Sequence, residues 1–246
     1  MTTTARFGVL IIGDEILSGR RTDKHLSQCI QILDEAGQSL AWARYSGDDS
    51  TQLVQQFEQI FSQSDICFSF GGIGATVDDN TRQAVAKALG IPLVRHEAAV
   101  KLIEDQFGEQ AYPNRILMAD LPQGANLIPN PYNRIPGFSI KNIYCLPGFP
   151  VMAWPMMKWV LETTFRDLKK NDTVLETLLL QQVHESEIIE TLNQIQQHYP
   201  AVKVSSLPSF SDNGGIRIEV GVEGLPDVVE KAMLDLSTEL KKLTRT

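Results

Sequence analysis

The sequence predicts an α/β protein, with a doubly wound, mostly parallel sheet followed by a second, smaller α+β domain. Two observations support this fold class. In the first part of the chain, short apolar segments alternate with amphipathic segments bounded by helix-capping residues, as in right-handed β-α-β crossovers. Beyond a charged stretch the alternation stops and a different order of elements begins. We therefore expect domains at residues 1–166 and 173–246.

The first elements are a strand, a loop and a helix. Phe7 to Ile12 is apolar throughout, which is typical of a strand buried on both faces of a parallel sheet. Thr22 and Asp23 can cap a helix whose apolar residues recur at helical spacing, and Gly37 supplies its end. The loop GDEILSG, at 13–19, lies between the strand and the helix.

The same pattern then repeats along the chain. A strand is expected at Leu40 to Tyr45, a capped helix at Ser50 to Phe61 and an apolar strand at Ile66 to Phe70. The glycine-rich loop GGIGAT follows, and then a helix from Asn80 to Leu89 that Gly90 ends.

The remainder of the chain has a different character. Tyr112 to Pro150 is rich in Pro, Gly and Asn, so loops are expected to dominate there, before a helix at Val151 to Phe165. Arg166 to Asp172 is interpreted as a surface linker. The segments after the linker predict strand, helix, strand, strand and helix, at Val174–Val183, Ser186–Tyr199, Val202–Ser205, Ile216–Val222 and Leu225–Leu243.

Composition excludes several function classes. The formal net charge of -8 argues against nucleic acid as the main partner, because a polyanion needs a basic face. Cys29, Cys67 and Cys145 lack metal or disulfide spacing and are expected to be buried, reduced thiols. Absence of a signal-peptide core or membrane-length apolar run predicts a cytoplasmic protein without membrane contact. No catalytic role is assigned to the scattered histidines: His25, His96, His184 and His198.

The glycine loop is the first candidate for ligand binding. Loops that leave the carboxyl ends of neighbouring parallel strands face one crevice. Gly71, Gly72 and Gly74 allow positive φ and close approach, so that backbone amides can form a nest for an anion, while Thr76 and Thr81 add hydroxyl donors. The spacing fits neither a Walker P-loop nor GxGxxG. The alternative is a glycine-rich turn with a helix cap.

Acidic residues accompany this loop. Asp78 and Asp79 would repel a phosphate unless a cation such as Mg²⁺ compensated them. The alternative is capping of the next helix, and we expect one aspartate to cap and Asp79 to meet the ligand. Asp14 and Glu15 are interpreted either as ligand groups or as solvated loop charges.

A second acidic pair, Asp48 and Asp49, precedes the helix that begins near Ser50. Aspartate is a favoured residue at the N-cap position. We therefore expect one member of this pair to cap that helix.

Taken together, the motifs resemble the molybdopterin-binding MoaB/Mog domain, in the version found in the competence/damage-inducible protein A (CinA) family. The resemblance covers residues 5–165, and residues 174–246 resemble that family's small, KH-type middle domain. The chain lacks the C-terminal amidohydrolase domain of longer members, so deamidation of nicotinamide mononucleotide is not expected. Homo-oligomers are common among such domains, and one is expected here. The motifs are GDEILSG, Gly-Asp-Asp at 47–49, GGIGATVDDNT, NPYNRIPGF and LPGFP.

The resemblance implies a site and two related functions. The glycine loop would hold a pterin phosphate or adenylate. Asp79 and Asp48, or Asp49 in place of Asp48, would be catalytic and metal-binding residues, with Mg²⁺ as the candidate metal. One function is binding of molybdopterin or its nucleotide form, and the alternative is metal-dependent cleavage of the pyrophosphate in an ADP-ribose-like dinucleotide. The remaining implied ligand residues are Gly13, Asp14, Glu15, Ser18, Gly71, Gly72, Gly74, Thr76, Asp78, Thr81, Asn130, Pro147 and Gly148.

The sequence departs from the family pattern at four positions. Ala75 stands where Pro is usual, Asn133 where Gly is usual and Ile135 where Ala is usual. Met152 replaces a usual Glu, and loss of that carboxylate affects catalysis more than binding. We therefore favour ligand binding over hydrolysis. RNA binding by the KH-type half is disfavoured, since a GxxG loop is missing and the charge is acidic.

Overall fold

The structure is a computed structural model that describes residues 5–169, 172–210 and 215–243. The chain divides into two compact units, Met1–Lys170 and Asn171–Thr246. The first unit contains a six-stranded, mostly parallel sheet between helices, and the second a separate three-stranded sheet with two helices. The predicted fold class is confirmed.

The larger unit alternates strands and helices through its first half, as predicted. It also contains two short 3-10 helices, at Gly108–Ala111 and Arg115–Ala119. In chain order its strands and α-helices are β1 Phe7–Ile12, α1 Asp14–Leu17, α2 His25–Glu35, β2 Leu40–Ser46, α3 Ser50–Ser62, β3 Ile66–Phe70, α4 Thr81–Leu89, β4 Leu93–Arg95, α5 Glu97–Phe107, β5 Asp120–Pro122, β6 Asn126–Ile128, β7 Gly137–Ile140, β8 Ile143–Leu146 and α6 Pro150–Thr164.

Strand order in the main sheet is β2-β1-β3-β8-β7-β6. Strands β2, β1, β3 and β8 are parallel, whereas β7 is antiparallel to both β8 and β6. The chain moves to opposite sides of β1 when it forms β2 and then β3. Such a switch point opens a crevice beyond the carboxyl ends of the strands, where ligands bind in open α/β sheets.

The core of this unit lies on both faces of the sheet. All residues of β1 are buried, as its apolar run predicts. Leu10 and Ile12 pack with residues of α3, α4 and α5, while Phe7, Val9 and Ile11 pack with residues of α2 and α6. The strand ends at the site are therefore fixed from both sides.

Capping residues set the helix boundaries near the crevice. The carboxylate of Asp23 accepts hydrogen bonds from the amide of His25 at 2.7 Å and from the amide of Leu26 at 3.1 Å. Asp49 caps α3 by accepting from the amide of Gln52 at 2.9 Å. The capping prediction for α3 is therefore confirmed, whereas in α2 the N-cap position belongs to Lys24 and Asp23 bonds to the first turn from the residue before it.

As predicted, loops and turns form the largest part of Tyr112–Pro150, but the strands within it were not predicted. Four strands, β5 to β8, lie there, and β6 to β8 extend the main sheet. These strands have only three or four residues each, bounded by Pro, Gly and Asn, so they are too short to show a periodicity. The short helix α1 inside GDEILSG was likewise not predicted.

The smaller unit has the predicted order of strand, helix, strand, strand and helix. Its three strands are antiparallel in the order β10-β11-β9, with one face packed on α7 and α8. No helix in the described part of the chain is long and apolar enough to cross a membrane. The elements are β9 Val174–Gln181, α7 Glu185–His198, β10 Lys203–Phe210, β11 Ile216–Gly224 and α8 Pro226–Leu243.

Candidate functional site

A cavity of about 530 Å³ lies at the carboxyl edge of the main sheet. The loops after β1, β2, β3 and β8 contribute to its wall, together with residues of 130–136 and two side chains from 107–118. Most of the predicted site residues line it: Gly13, Glu15, Asp48, Gly71, Gly72, Gly74, Thr76, Asp78, Asp79, Asn130, Pro147 and Gly148.

Three residues predicted to bind ligand do not line the cavity. The Thr81 side chain is buried, and its hydroxyl donates to the carbonyl of Gly71 at 2.9 Å. Asp14 accepts a hydrogen bond from the amide of Asp48, and Ser18 accepts one from an arginine on the outside of its loop. These three side chains stabilise the loops that carry the site.

Glycine is required at the start of the loop after β3. Gly71 has φ 102°, and a Cβ there would lie 2.4 Å from the carbonyl oxygen of Ile12. Gly72 has φ 67°, and its Cβ would lie 2.3 Å from Oγ1 of Thr81. Both the backbone angle and the close approach therefore exclude a side chain at these positions.

Asp79 occupies part of the expected anion nest. One carboxylate oxygen accepts from the amide of Gly74 at 2.9 Å and the other from the amide of Thr76 at 2.8 Å, with a further bond from the Thr76 hydroxyl. The loop amides without a hydrogen-bond partner among the described residues are those of Gly72, Ile73 and Ala75.

The expectation that one aspartate of the loop caps α4 was wrong. Asn80 occupies the N-cap position, and no side-chain capping bond is present. The Asp79 carboxylate instead accepts hydrogen bonds from amides of its own loop. A metal ion at Asp79 would compete with the three hydrogen bonds that its carboxylate accepts.

A buried arginine, Arg82, holds the other side of the same loop. Its guanidinium donates to the carbonyls of Gly74 at 2.6 Å and Asp120 at 3.0 Å, and also to that of Leu117. Burial lowers its pKa, while the charges of Asp79 and Asp120 oppose that shift. Sequence reasoning missed Arg82, since an arginine on a helix usually faces solvent.

The acidic side of the cavity centres on Asp48. Its carboxylate accepts from the amide of Asp14 at 2.9 Å. Burial raises the pKa of the Asp48 carboxyl, and the charges of Asp14, Glu15 and Asp78 raise it further. The hydrogen bond from the Asp14 amide lowers the pKa and opposes this shift. In the described ranges, no three His, Cys, Asp or Glu side chains are grouped closely enough to hold a metal ion by themselves. A cation here would need ligand oxygens to complete its coordination.

A second group of cavity-lining side chains, here called the neutral side, is uncharged and largely apolar. Asn130 is buried and stabilises this part of the wall. It donates to Oδ1 of Asn133 at 2.8 Å and to the carbonyl of Ile135 at 3.0 Å. Nδ2 of Asn133 lies 3.7 Å from Sδ of Met152, so two of the departures from the family pattern contact each other. Sequence reasoning assigned no binding role to the side chains that form this side: Phe107, Met118, Asn133, Ile135, Phe149 and Met152.

His25 is buried next to the cavity and contacts the loop after β8. Its side chain is 5% exposed, and Nε2 lies 3.1 Å from the carbonyl oxygen of Gly148. The ring stacks on Phe70 at 4.5 Å between centroids. Burial lowers the pKa of His25, so the neutral ring donates from Nε2 and leaves Nδ1 without a partner. This histidine is therefore a structural residue next to the site.

The chain is similar in sequence to a known domain family and to several proteins. Residues 8–167 match the family described as "Probable molybdopterin binding domain". A CinA-like protein from Anaeromyxobacter sp. (strain Fw109-5) is 33% identical over 150 residues, which is 58% of this chain and 37% of the relative. A protein from Caldivirga maquilingensis is 29% identical over 228 residues, 88% of this chain and 87% of the relative.

A solved structure shares the fold of the larger unit. CinA from Thermoplasma acidophilum has 28% sequence identity and a TM-score of 0.59, covering 64% of this chain and 97% of that chain. The CinA-like relatives from Anaeromyxobacter are longer, and this chain spans about two fifths of their length. The family match covers well over half of the sequence and includes every loop that lines the cavity. This protein therefore belongs to the molybdopterin-binding domain family.

Proposed function

We propose that the larger unit binds a small molecule that carries phosphate and a flat heteroaromatic ring, either a pterin or a nucleotide. The observation that carries this proposal is that one cavity combines two unlike kinds of lining. The glycine-loop side has backbone amides without a hydrogen-bond partner among the described residues, and the neutral side is largely apolar. A ligand with an anionic end and a planar ring complements both sides.

The glycine loop is suited to phosphate. Among the described residues, the amides of Gly72, Ile73 and Ala75 have no hydrogen-bond partner, and an amide nest favours an anion. Phe149 is 56% exposed at the cavity wall, where it can stack on a ring. Molybdopterin is the candidate that the family supports, and ADP-ribose is a nucleotide with the same two features.

A divalent cation fits the acidic side when it binds together with the ligand. Burial and the neighbouring charges of Glu15 and Asp78 raise the pKa of Asp48, so a bound cation would stabilise its ionised form. Carboxylate oxygens are suitable ligands for Mg²⁺, which commonly shares its coordination with substrate phosphates. Asp48 would hold the ion, with Glu15 and Asp78 adding negative potential. A bound Mg²⁺ would neutralise the phosphate charge.

The alternative is hydrolysis of a pyrophosphate bond in an ADP-ribose-like dinucleotide. The charge of Asp48 favours this alternative. Two observations favour binding with little turnover: Asp79 is engaged by its own loop, and Met152 supplies no carboxylate to the cavity. Homo-oligomer formation and a cytoplasmic location stay predictions.

Calorimetric titration with molybdopterin and with ADP-ribose, each with and without Mg²⁺, tests the proposal. We expect saturable binding of at least one ligand. A phosphate-release assay, coupled through a phosphatase that acts on the cleaved nucleotide, then compares the natural protein with Met152→Glu. Weak turnover that rises in Met152→Glu supports a binding role for the natural protein. Rapid turnover by the natural protein supports the pyrophosphatase alternative, and absence of binding contradicts both functions.

A further inference from the structure

The charged side chains of the cavity are unevenly distributed. Four carboxylates line it, those of Glu15, Asp48, Asp78 and Asp79. Among the described residues that line the cavity, Arg21 is the one cationic side chain. A phosphate that enters the cavity is therefore repelled on most sides, and Arg21 is the side chain that attracts it.

Arg21 is anchored through its backbone rather than through its side chain. Its amide donates to the carbonyl of Glu15 at 2.9 Å, which closes the turn after α1. In the described part of the chain its guanidinium makes no hydrogen bond or ion pair, although it shares a cavity with four carboxylates. The neighbouring Arg20 differs, since its Nε donates to the Ser18 hydroxyl at 3.2 Å and it does not line the cavity.

The glycine loop alone has limited capacity for anions. Asp79 already occupies the amides of Gly74 and Thr76, which leaves the amides of Gly72, Ile73 and Ala75. These amides suit one phosphate group. A second phosphate on the same ligand needs another donor, and the buried guanidinium of Arg82 is committed to backbone carbonyls.

We infer that Arg21 is a specificity-determining residue that makes the cavity prefer a diphosphate to a monophosphate. One phosphate occupies the free amides of the glycine loop, and the guanidinium of Arg21 binds the next phosphate through paired N–H donors. The inference rests on the proposed function, because it assigns part of the same ligand. None of the sequence motifs includes Arg21 as a ligand residue.

Titration calorimetry with ADP and with AMP tests this inference, with Mg²⁺ held constant. The proteins compared are the natural chain, Arg21→Gln and the matched control Arg20→Gln. We expect Arg21→Gln to weaken ADP binding by about 10- to 100-fold, as is typical for loss of a charged hydrogen bond, and AMP binding by less than about 3-fold. Arg20→Gln should change neither affinity.

The outcomes separate this inference from the proposed function. If both nucleotides bind but Arg21→Gln weakens them equally or not at all, the role of Arg21 is refuted and the binding site stands. If neither nucleotide binds the natural protein, the role of Arg21 is refuted along with nucleotide binding. Because both arginine side chains are exposed, thermal melting should give the same midpoint for all three proteins.

Discussion

The two sides of the cavity are built differently. On the glycine-loop side the wall is mainly backbone, fixed by hydrogen bonds of 2.6–2.9 Å to the side chains of Asp79, Thr81 and Arg82. On the neutral side the wall is made of uncharged side chains such as Phe149 and Met152. The first side holds its polar groups in a set geometry, as recognition of phosphate requires, whereas the second can adapt to the shape of a ring.

The largest effect is expected from breaking the backbone side. In Gly72→Ala the new methyl group would lie 2.3 Å from Thr81 Oγ1, so the loop must shift and its amides lose their positions. We expect affinity for ADP-ribose to fall by about 100-fold or more. Stability should fall by more than about 1–2 kcal/mol, because the clash adds to the cost of the positive φ. Titration calorimetry and thermal melting measure the two effects.

Gly90→Ala is the matched control for that substitution. Gly90 has φ 66°, nearly the same as Gly72, but no atom lies within 4 Å of a Cβ at this position. Its stability should fall by about 1–2 kcal/mol, the cost of the positive φ alone, without loss of affinity. Equal affinity of Gly72→Ala and Gly90→Ala would mean that the glycine loop is only a turn.

A smaller effect is expected when the acidic charge next to this side is removed. Asp48→Asn keeps an oxygen that can accept from the amide of Asp14 but loses the charge that attracts Mg²⁺. We expect the gain in affinity that Mg²⁺ gives to disappear, a change of roughly 10- to 30-fold. Asp49→Asn is the control, because asparagine caps α3 equally well. A Mg²⁺ effect that survives in Asp48→Asn would place the cation elsewhere.

The raised pKa of Asp48 adds a pH dependence to that prediction. Protons compete with Mg²⁺ for the carboxylate, so the Mg²⁺ effect should weaken on acidification at a pH above the ordinary value of 3.8 for aspartate. Titrations between pH 7 and pH 5 measure this change.

The neutral side is tested by removing an aromatic ring. Phe149→Ala should weaken binding of ADP-ribose by about 10-fold, since stacking of a base on an aromatic ring contributes about 1–3 kcal/mol. It should leave binding of inorganic pyrophosphate unchanged. Tyr132→Ala is the control, because Tyr132 is 62% exposed but does not line the cavity. Equal loss for both ligands in Phe149→Ala would erase the distinction between the two sides.

The smallest effect concerns the support below the cavity. Because burial lowers the pKa of His25, the unfolded chain takes up a proton at a higher pH than the folded chain. Stability should therefore fall as the pH drops below the ordinary value of 6.5, by up to about 1.4 kcal/mol per pH unit until the lowered pKa is reached. His25→Gln keeps a donor for Gly148 and should remove this part of the pH dependence. Chemical denaturation at pH 7 and pH 5 measures the change in stability of both proteins. An equal loss of stability in the two would contradict this effect of His25.

The backbone side of the cavity could largely be predicted from the sequence. Gly71 and Gly72 follow an apolar strand, and Asp48 precedes a capped helix, so local sequence and parallel topology place them together. The inward turn of Asp79 could not be predicted, because it depends on the positions of loop amides that are set by tertiary contacts.

The neutral side was harder to predict for a different reason. Phe107, Met118 and Met152 have the composition of core residues, and nothing local distinguishes a cavity wall from a core. Strands β6 and β7 were missed because each has only three or four residues. Arg21 was missed because a charged loop residue is usually solvated.

The central claim is that phosphate binds to the glycine loop while the ring contacts the neutral side. A crystal structure of the natural protein with ADP-ribose and Mg²⁺ tests it most directly. We expect a phosphate at the amides of Gly72, Ile73 and Ala75, with the adenine ring against Phe149. Phosphates bound away from the glycine loop, or a ligand bound outside this cavity, would contradict the account.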